Sequence, residues 1–472
     1  MRAKWRIQTM PSLDRRLRSP VGFRRRSRIQ ILVVAFVCFV LFYECVLPRH
    51  HTRTNWTPES KSARCPEASI AMEVLVVVRT GATEALEKLP VHFDTTLRCV
   101  PDFVVYSDLE ENIQGHHVND VLNDVSETLK ASGPEFELYE QLRTQRREGL
   151  NSTVHLGSGP SGSPENLSWK LDRFKFMPMV NKALLHRPTA KWFVFIEADT
   201  YLQWQNLLKY LAKFDSDQNY YIGKQMWIGE VLFAHGGSGF VLSAAAMRTV
   251  TNHWRPRMIN YDKYTAENWA GDMVLGKVLR DAGVQLFWAF PHFQGDPVSS
   301  LDHSVTKIDR RPWCYAPITY HHMRETDIRK LWDFAEAWHR NERGVLLHRN
   351  VFKEHIAPNL ATKVDGWDNF SMDTEPGVFE SLKSCQAACT ARDDCLQYSF
   401  VAGTCSTSKE IRYGNEAVTR CAEYSVAASK CVRWDKQTDS AVVQSGWMIE
   451  RLGRYIEQMD RSCQGEEPMW VV

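Results

Sequence analysis

The sequence predicts an α/β fold, a Rossmann-like and mostly parallel sheet, followed by a small disulfide-rich α+β unit. Three observations predict it. Apolar runs at 72–79, 102–108 and 191–196 each lead into polar residues. Helical stretches lie between the runs, and seven of the twelve cysteines crowd into 385–463.

The first run, Met72-Glu-Val-Leu-Val-Val-Val-Arg79, is almost continuously apolar and is bounded by Thr80-Gly81. That pattern suits a strand buried on both faces, as in a parallel sheet. A helical stretch (84–97) and a second strand ending at Asp108 complete a βαβ unit. Residues 110–168 are charged and then Gly/Ser/Pro-rich, and read as a long surface excursion. A helix is expected over 169–186, followed by the strand Lys191-Trp-Phe-Val-Phe-Ile196, which runs into Glu197-Ala-Asp-Thr-Tyr201. Further on, Gly236-Gly-Ser-Gly239 is a turn entering a strand, and Gly271-Asp272 opens a helix. From about Val364 the cysteines take over. Cys385 and Cys389, four apart, share a helix face from which they can be tied to neighbouring strands.

Ahead of these elements stands a different kind of segment. Residues 29–47 are apolar except for Gln30 and Glu44, and about 19 helical residues reach about 28 Å, enough to cross a hydrocarbon core. Ten Arg or Lys and one acid precede it, which orients the N-terminus to the cytosol and the remainder to the lumen. The expected arrangement is a single-pass type II signal anchor in the Golgi or ER membrane. Four Asn-x-Ser/Thr sequons (Asn55, Asn151, Asn166, Asn369) and ten cysteines beyond the span agree with a secretory compartment. No paired Cys-x-x-Cys knuckles occur, so disulfides rather than zinc are expected. The division is a basic tail (1–28), the anchor (29–47), a stalk (48–70), an α/β domain (71–345), a linker (346–363) and a cysteine-rich unit (364–465).

The formal net charge of +2 arises in the tail. Without the first 28 residues, 48 basic residues face 55 acidic ones. A mildly acidic folded part argues against nucleic acid as a partner.

In open α/β sheets ligands bind beyond the carboxyl ends of the strands. Three such ends carry polar residues here: Arg79 with Thr80, Asp108, and Glu197 with Asp199. Two carboxylates at alternate positions of a strand end can face one hard cation, whose shell substrate phosphates complete. A solvated loop acid is the plainer reading of any one Glu-x-Asp. Likewise Asp272 reads as a general base or as a helix cap. Gly236 and Gly237 allow close approach of a ligand or a turn with positive φ. Lys170, after Trp169, faces a diphosphate or solvent.

The ordered pieces Lys191-Trp-Phe-Val-Phe-Ile-Glu-Ala-Asp-Thr-Tyr201, Gly236-Gly-Ser-Gly-Phe-Val-Leu-Ser243, Gly271-Asp-Met-Val-Leu-Gly276 and Pro317-Ile-Thr-Tyr-His321 resemble the Fringe-like inverting glycosyltransferases of family 31. The resemblance spans about 72–345. It implies a GT-A fold, a UDP-sugar donor, a glycan or glycoprotein acceptor, and Mn²⁺ or Mg²⁺. It further implies Asp199 as principal metal carboxylate, Glu197 near the ribose or the metal's water shell, His321 as a late metal ligand, with His322 able to substitute, and Asp272 as base. A neutral imidazole suits Mn²⁺ better than Mg²⁺. Arg79, Thr80, Asp108, Lys170, Gly236 and Gly237 are the expected donor contacts. The sequence departs from the family where Ala198 replaces an acid and Glu197 an Asp. That departure keeps a second reading open, a non-catalytic relative that binds glycans or proteins. Residues 384–405 resemble a PAN/Apple module, which implies either an acceptor-tethering unit or a stabilising cap.

Overall fold

Every residue of Val74–Arg79 is buried, because strand β1 lies at the heart of a sheet covered on both faces. Alternate side chains point opposite ways along a strand. Leu75 and Val77 accordingly join one apolar cluster with Phe193 and Phe195, while Val74, Val76 and Val78 join another with Val194 and Ile196. Each fully buried aliphatic side chain contributes about 1.5–3 kcal/mol, so β1 alone anchors both layers. The computed structural model describes residues 65–66, 68–131, 133–150, 167–416, 421–425, 430–434, 442–463 and 468–472.

The strands are β1, β2 (Phe103–Ser107), β3 (Glu111–Ile113), β4 (His116–Asp120), β5 (Trp192–Glu197), β6 (Tyr201–Leu202), β7 (Tyr221–Gly223), β8 (Gln225–Ile228), β9 (Val231–Ala234), β10 (Phe240–Ser243), β11 (Leu286–Trp288), β12 (Phe293–Gln294) and β13 (Thr319–Tyr320). Eight form the main sheet in the order β11-β7-β10-β5-β1-β2-β4-β3. The pairs β1–β2, β1–β5, β2–β4 and β11–β7 are parallel; β10 runs antiparallel to β5 and β7, and β3 to β4. The fold is thus mixed α/β around a large sheet containing parallel strands, consistent with a GT-A-like fold.

Helices α1 (Ala82–Asp94), α2 (Glu135–Gln145), α3 (Leu167–Asp172), α4 (Phe176–His186), α5 (Ala244–Trp254), α6 (Gly271–Asp281) and α7 (Glu325–Arg340) accompany the sheet. Two expectations need correction. Residues 110–150 are no excursion: they supply β3, β4 and α2. Their apolar positions are too few and too short in period to read, yet Ile113, Val118, Phe136, Leu138, Tyr139 and Leu142 are all buried. The charges that suggested a loop find partners, Arg147 with Glu111 and Arg173 with Glu135. The helix expected over 169–186 is two helices, broken at 173–175, where Lys175 turns inward and becomes 1% exposed.

Residues 63–472 form one compact unit. Its C-terminal part is an antiparallel five-stranded sheet in the order Val364–Asp365, Gln444–Trp447, Gln397–Val401, Thr404–Ser408, Asp373–Thr374, with the helix Leu382–Thr390 against it. Disulfides Cys385–Cys405 and Cys389–Cys395 hold that helix; the first reaches the strand Thr404–Ser408, as the cysteine spacing allows, and the second joins the helix to the segment ahead of Gln397–Val401. Two more, Cys65–Cys99 and Cys314–Cys463, tie distant segments together. The fourth sequon fails on geometry. Asn369 is completely buried and donates its side-chain amide to the carbonyls of Tyr398 and Gly446, so in the folded chain it cannot carry a glycan. Asn55, Asn151, Asn166 and the apolar span 29–47 lie outside the described residues; among the described residues no helix is long and apolar enough to cross a membrane.

Candidate functional site

The parallel register sets Arg79 of β1 beside Glu197 of β5, both at strand ends. Arg79 is buried, forms ion pairs with Glu197 and Asp172, and lies 4.4 Å over the Phe176 ring. Beyond these ends opens a cleft of about 710 Å³.

A second, smaller sheet brings the later ligands to it. Strand β13 pairs antiparallel with β6, matching Tyr320 to Tyr201 and Thr319 to Leu202. His321, just after β13, therefore arrives next to Asp199, just before β6. Its Nε2 lies 3.2 Å from Asp199 Oδ1, and the Met323 N–H donates to the Asp199 carbonyl at 2.9 Å. His322 adopts φ +56°, a left-handed conformation uncommon outside glycine, and brings Nδ1 within 3.8 Å of Asp199 Oδ2. One ligand atom from each of Asp199, His321 and His322 falls within 4.8 Å of the others, so the three can hold a metal ion. His321 Nδ1 is buried with no hydrogen-bond partner, a further sign of a donor set built for something besides protein. Two imidazoles and one carboxylate can ligate a divalent transition ion.

Glu197 is not in this triad. Arg79 engages its Oε1, and its Oε2 stands 3.6 Å from His321 Nε2. Burial raises the carboxyl's pKa, but Arg79 and His321 outweigh it and hold Glu197 well below the usual carboxylate range. Burial likewise would lower His321, yet Asp199 and Glu197 raise it to about 9. Lys88 of α1 sits 3.0 Å from Asp199 Oδ2 and 2.7 Å from Glu84; these acids overcome the burial that disfavours its charge.

Gly236 and Gly237 join the two sides of the cleft. A β-carbon on Gly237 would lie 2.1 Å from His321 Cε1, so only glycine lets the ring in. The Gly236 N–H donates to Asp272 Oδ2 at 2.9 Å. Of the four residues only Gly239 needs positive φ, at +75°. Asp272 lies in the first turn of α6, whose cap position is Ala270, and accepts its neighbour's Met273 N–H at 2.9 Å. Burial pushes its pKa up to about 6 against those two hydrogen bonds.

Of the expected residues, Arg79, Thr80, Glu197, Asp199, Gly237, Asp272 and His321 line the cleft; Asp108, Lys170 and Gly236 do not. Asp108 is 1% exposed and used internally, accepting the Ala82 N–H at 2.7 Å and pairing with Lys175 at 3.0 Å. Lys88 and Lys175, not Lys170, are the lysines at the cleft wall, and Lys175 also donates to the Thr80 carbonyl at 2.9 Å. Sequence reasoning missed Lys88, Asp172, Lys175 and His235. Lys88 follows Glu84 by four, which reads as an ordinary helix-surface pair. His235 accepts the Ser238 N–H on Nδ1 at 3.2 Å, which assigns its proton to Nε2, and burial with neighbouring His321 keeps it neutral.

A mixed α/β sheet with a polar cleft at its strand ends, an acid–imidazole triad and one raised carboxyl make an enzyme-like site where α/β sheets bind their ligands. A family model described as Fringe-like matches residues 161–333, the stretch carrying Asp199, His235, Asp272 and His321. That stretch is therefore similar to Fringe-like proteins. No curated protein matches it.

Proposed function

We propose that the chain is an inverting glycosyltransferase that moves a sugar from a UDP-sugar to a hydroxyl of a glycan or glycoprotein in the secretory pathway. One observation carries this reading. Consecutive glycines, Gly236 and Gly237, touch Asp272 and His321 respectively, so a proton-accepting carboxylate and a metal-ready triad share one cleft.

Asp199, His321 and His322 would hold Mn²⁺ or Mg²⁺. A divalent ion there would neutralise the charge that grows on a diphosphate leaving group. The chain's own groups do the rest. Arg79 is held by Asp172 and Glu197, keeping the donor end of the cleft in one geometry. Thr80 and Gly81, at the start of α1, line the same wall. Asp272 takes the proton of the acceptor hydroxyl as that oxygen attacks the anomeric carbon. Lys88 supplies a further positive charge beside the site, and His235 Nε2–H a neutral donor.

The reading extends to the regions around the catalytic part. Residues 29–47 would anchor the protein as a type II membrane protein of the Golgi or ER, with a stalk ahead of Cys65, which its disulfide to Cys99 ties into the compact unit, 71–345 as catalytic domain and 364–465 as a PAN/Apple-like unit; the expected linker 346–363 is packed instead, with His348, Val351 and Phe352 fully buried. The alternation of helix and cystine-tied antiparallel strands supports that last assignment. A non-catalytic relative is the second reading. It is favoured by Ala198 and by Lys88, whose ammonium already neutralises Asp199.

Isothermal titration of UDP with and without Mn²⁺ separates the two. Manganese-dependent binding that is lost in Asp199→Ala is the expected result, followed by transfer from a panel of UDP-sugars. Absence of UDP binding by the folded wild type would overturn the enzyme reading.

A further inference from the structure

Of the large hydrophobic side chains exposed among the described residues, only Trp269 lines the cleft, and it is 57% exposed. An open indole within a binding cleft calls for an explanation, because an exposed apolar surface next to a site commonly marks what the site binds. Trp269 is also held in place. Its ring stacks on Trp169 with centroids 5.9 Å apart and planes 21° from parallel. The preceding carbonyl, of Asn268, accepts a hydrogen bond from Arg173 at 3.3 Å. Two residues on, Gly271 packs so tightly that a β-carbon there would lie 2.4 Å from the Phe176 ring and 2.5 Å from the Arg173 carbonyl. The loop carrying Trp269 is therefore seated on the α3–α4 junction and leads into α6, whose first turn holds Asp272 three residues later.

We infer that Trp169 and Trp269 form a saccharide-binding platform that receives the acceptor sugar beside Asp272. This rests on the transferase reading for its catalytic meaning. Its physical basis is separate. A pyranose presents a face of C–H groups and a rim of hydroxyls. The first packs on an indole face, and the second needs polar partners at the edge, as aromatic residues with a wet side favour. The platform offers both: an aromatic surface, and Arg173 and Asp172 lining the same stretch of wall. Arg79 and the metal triad occupy the strand ends, and Trp269 belongs to the segment entering α6, so donor and acceptor would meet with Asp272 beside the hydroxyl.

The test uses saturation-transfer difference NMR on the purified full-length chain with four probes: the methyl glycosides of β-galactose, β-N-acetylglucosamine, α-N-acetylgalactosamine and α-mannose. Wild type and Trp269→Phe should transfer saturation to the axial ring protons of at least one glycoside, and Trp269→Ala should lose it about five- to tenfold, the size of one aromatic contact. Thermal melting of Trp269→Ala checks its fold, which an exposed side chain should scarcely affect. If no glycoside is contacted, or contact persists unchanged in Trp269→Ala, the platform is overturned. UDP titration on the same sample keeps the two readings apart. Trp269-dependent saccharide contact without UDP binding upholds the platform and sinks the transferase. UDP binding without such contact sinks the platform alone.

Discussion

Asp272 accepts the backbone N–H of Gly236 at 2.9 Å, although 36 residues separate them. That bond ties the opening of α6 to the glycine turn that also admits His321. It satisfies one oxygen of a carboxylate otherwise starved of solvent, and burial prevails, lifting the group to about 6.

The pH dependence of transfer follows. A base must be ionised, so kcat/KM should rise about tenfold per pH unit below about 6 and level off above it. A raised carboxyl has the opposite effect on stability. The protonated form is the one the fold favours, so ionising Asp272 costs stability as pH climbs from about 4 to about 6. Asp272→Asn should lower turnover by about 10²–10⁴-fold and abolish the acid limb. An unchanged limb in that variant would remove Asp272 from the chemistry.

Gly237→Ala tests the contact with His321. Its β-carbon would lie 2.1–2.6 Å from three ring atoms, so the imidazole must move or the turn must open. Overpacking of this kind costs about 1–3 kcal/mol, and Mn²⁺ affinity measured by calorimetry should fall with it. Gly236→Ala, whose β-carbon would come no closer than 3.0 Å to the Phe176 ring, should be milder. Equal effects from both would show that the ring contact is not what demands glycine.

Lys175 and Asp108 are each 1% exposed and pair at 3.0 Å. Replacing one partner leaves a buried charge uncompensated, so Lys175→Met should cost about 3–5 kcal/mol in urea unfolding. Adding Asp108→Asn should recover part of the loss, because the two changes share one interaction. A Lys175→Met midpoint equal to wild type would contradict this account.

Strands β1, β2 and β5 are legible in residue order alone, because a strand buried on both faces is apolar along nearly its whole length, and such runs are plain to read. So are the polar strand ends and the helical cysteine spacing behind Cys385–Cys405 and Cys389–Cys395. The rest came with contacts made across the folded chain. Residues 110–150 joined the fold because their charges found partners far along the chain, such as Arg173 for Glu135, which no local pattern records. Pairing of β6 with β13 set His321 and His322 against Asp199, while Arg79 drew Glu197 out of the triad. Asp108 and Lys170 read as cleft residues, yet Lys175 took the wall and Asp108 its interior. Asn369 fits a sequon, but folding consumed its amide. Hydrophobic period is local and survives in the sequence. The partner of a buried charge is chosen by proximity in space, which exists only once the chain has folded.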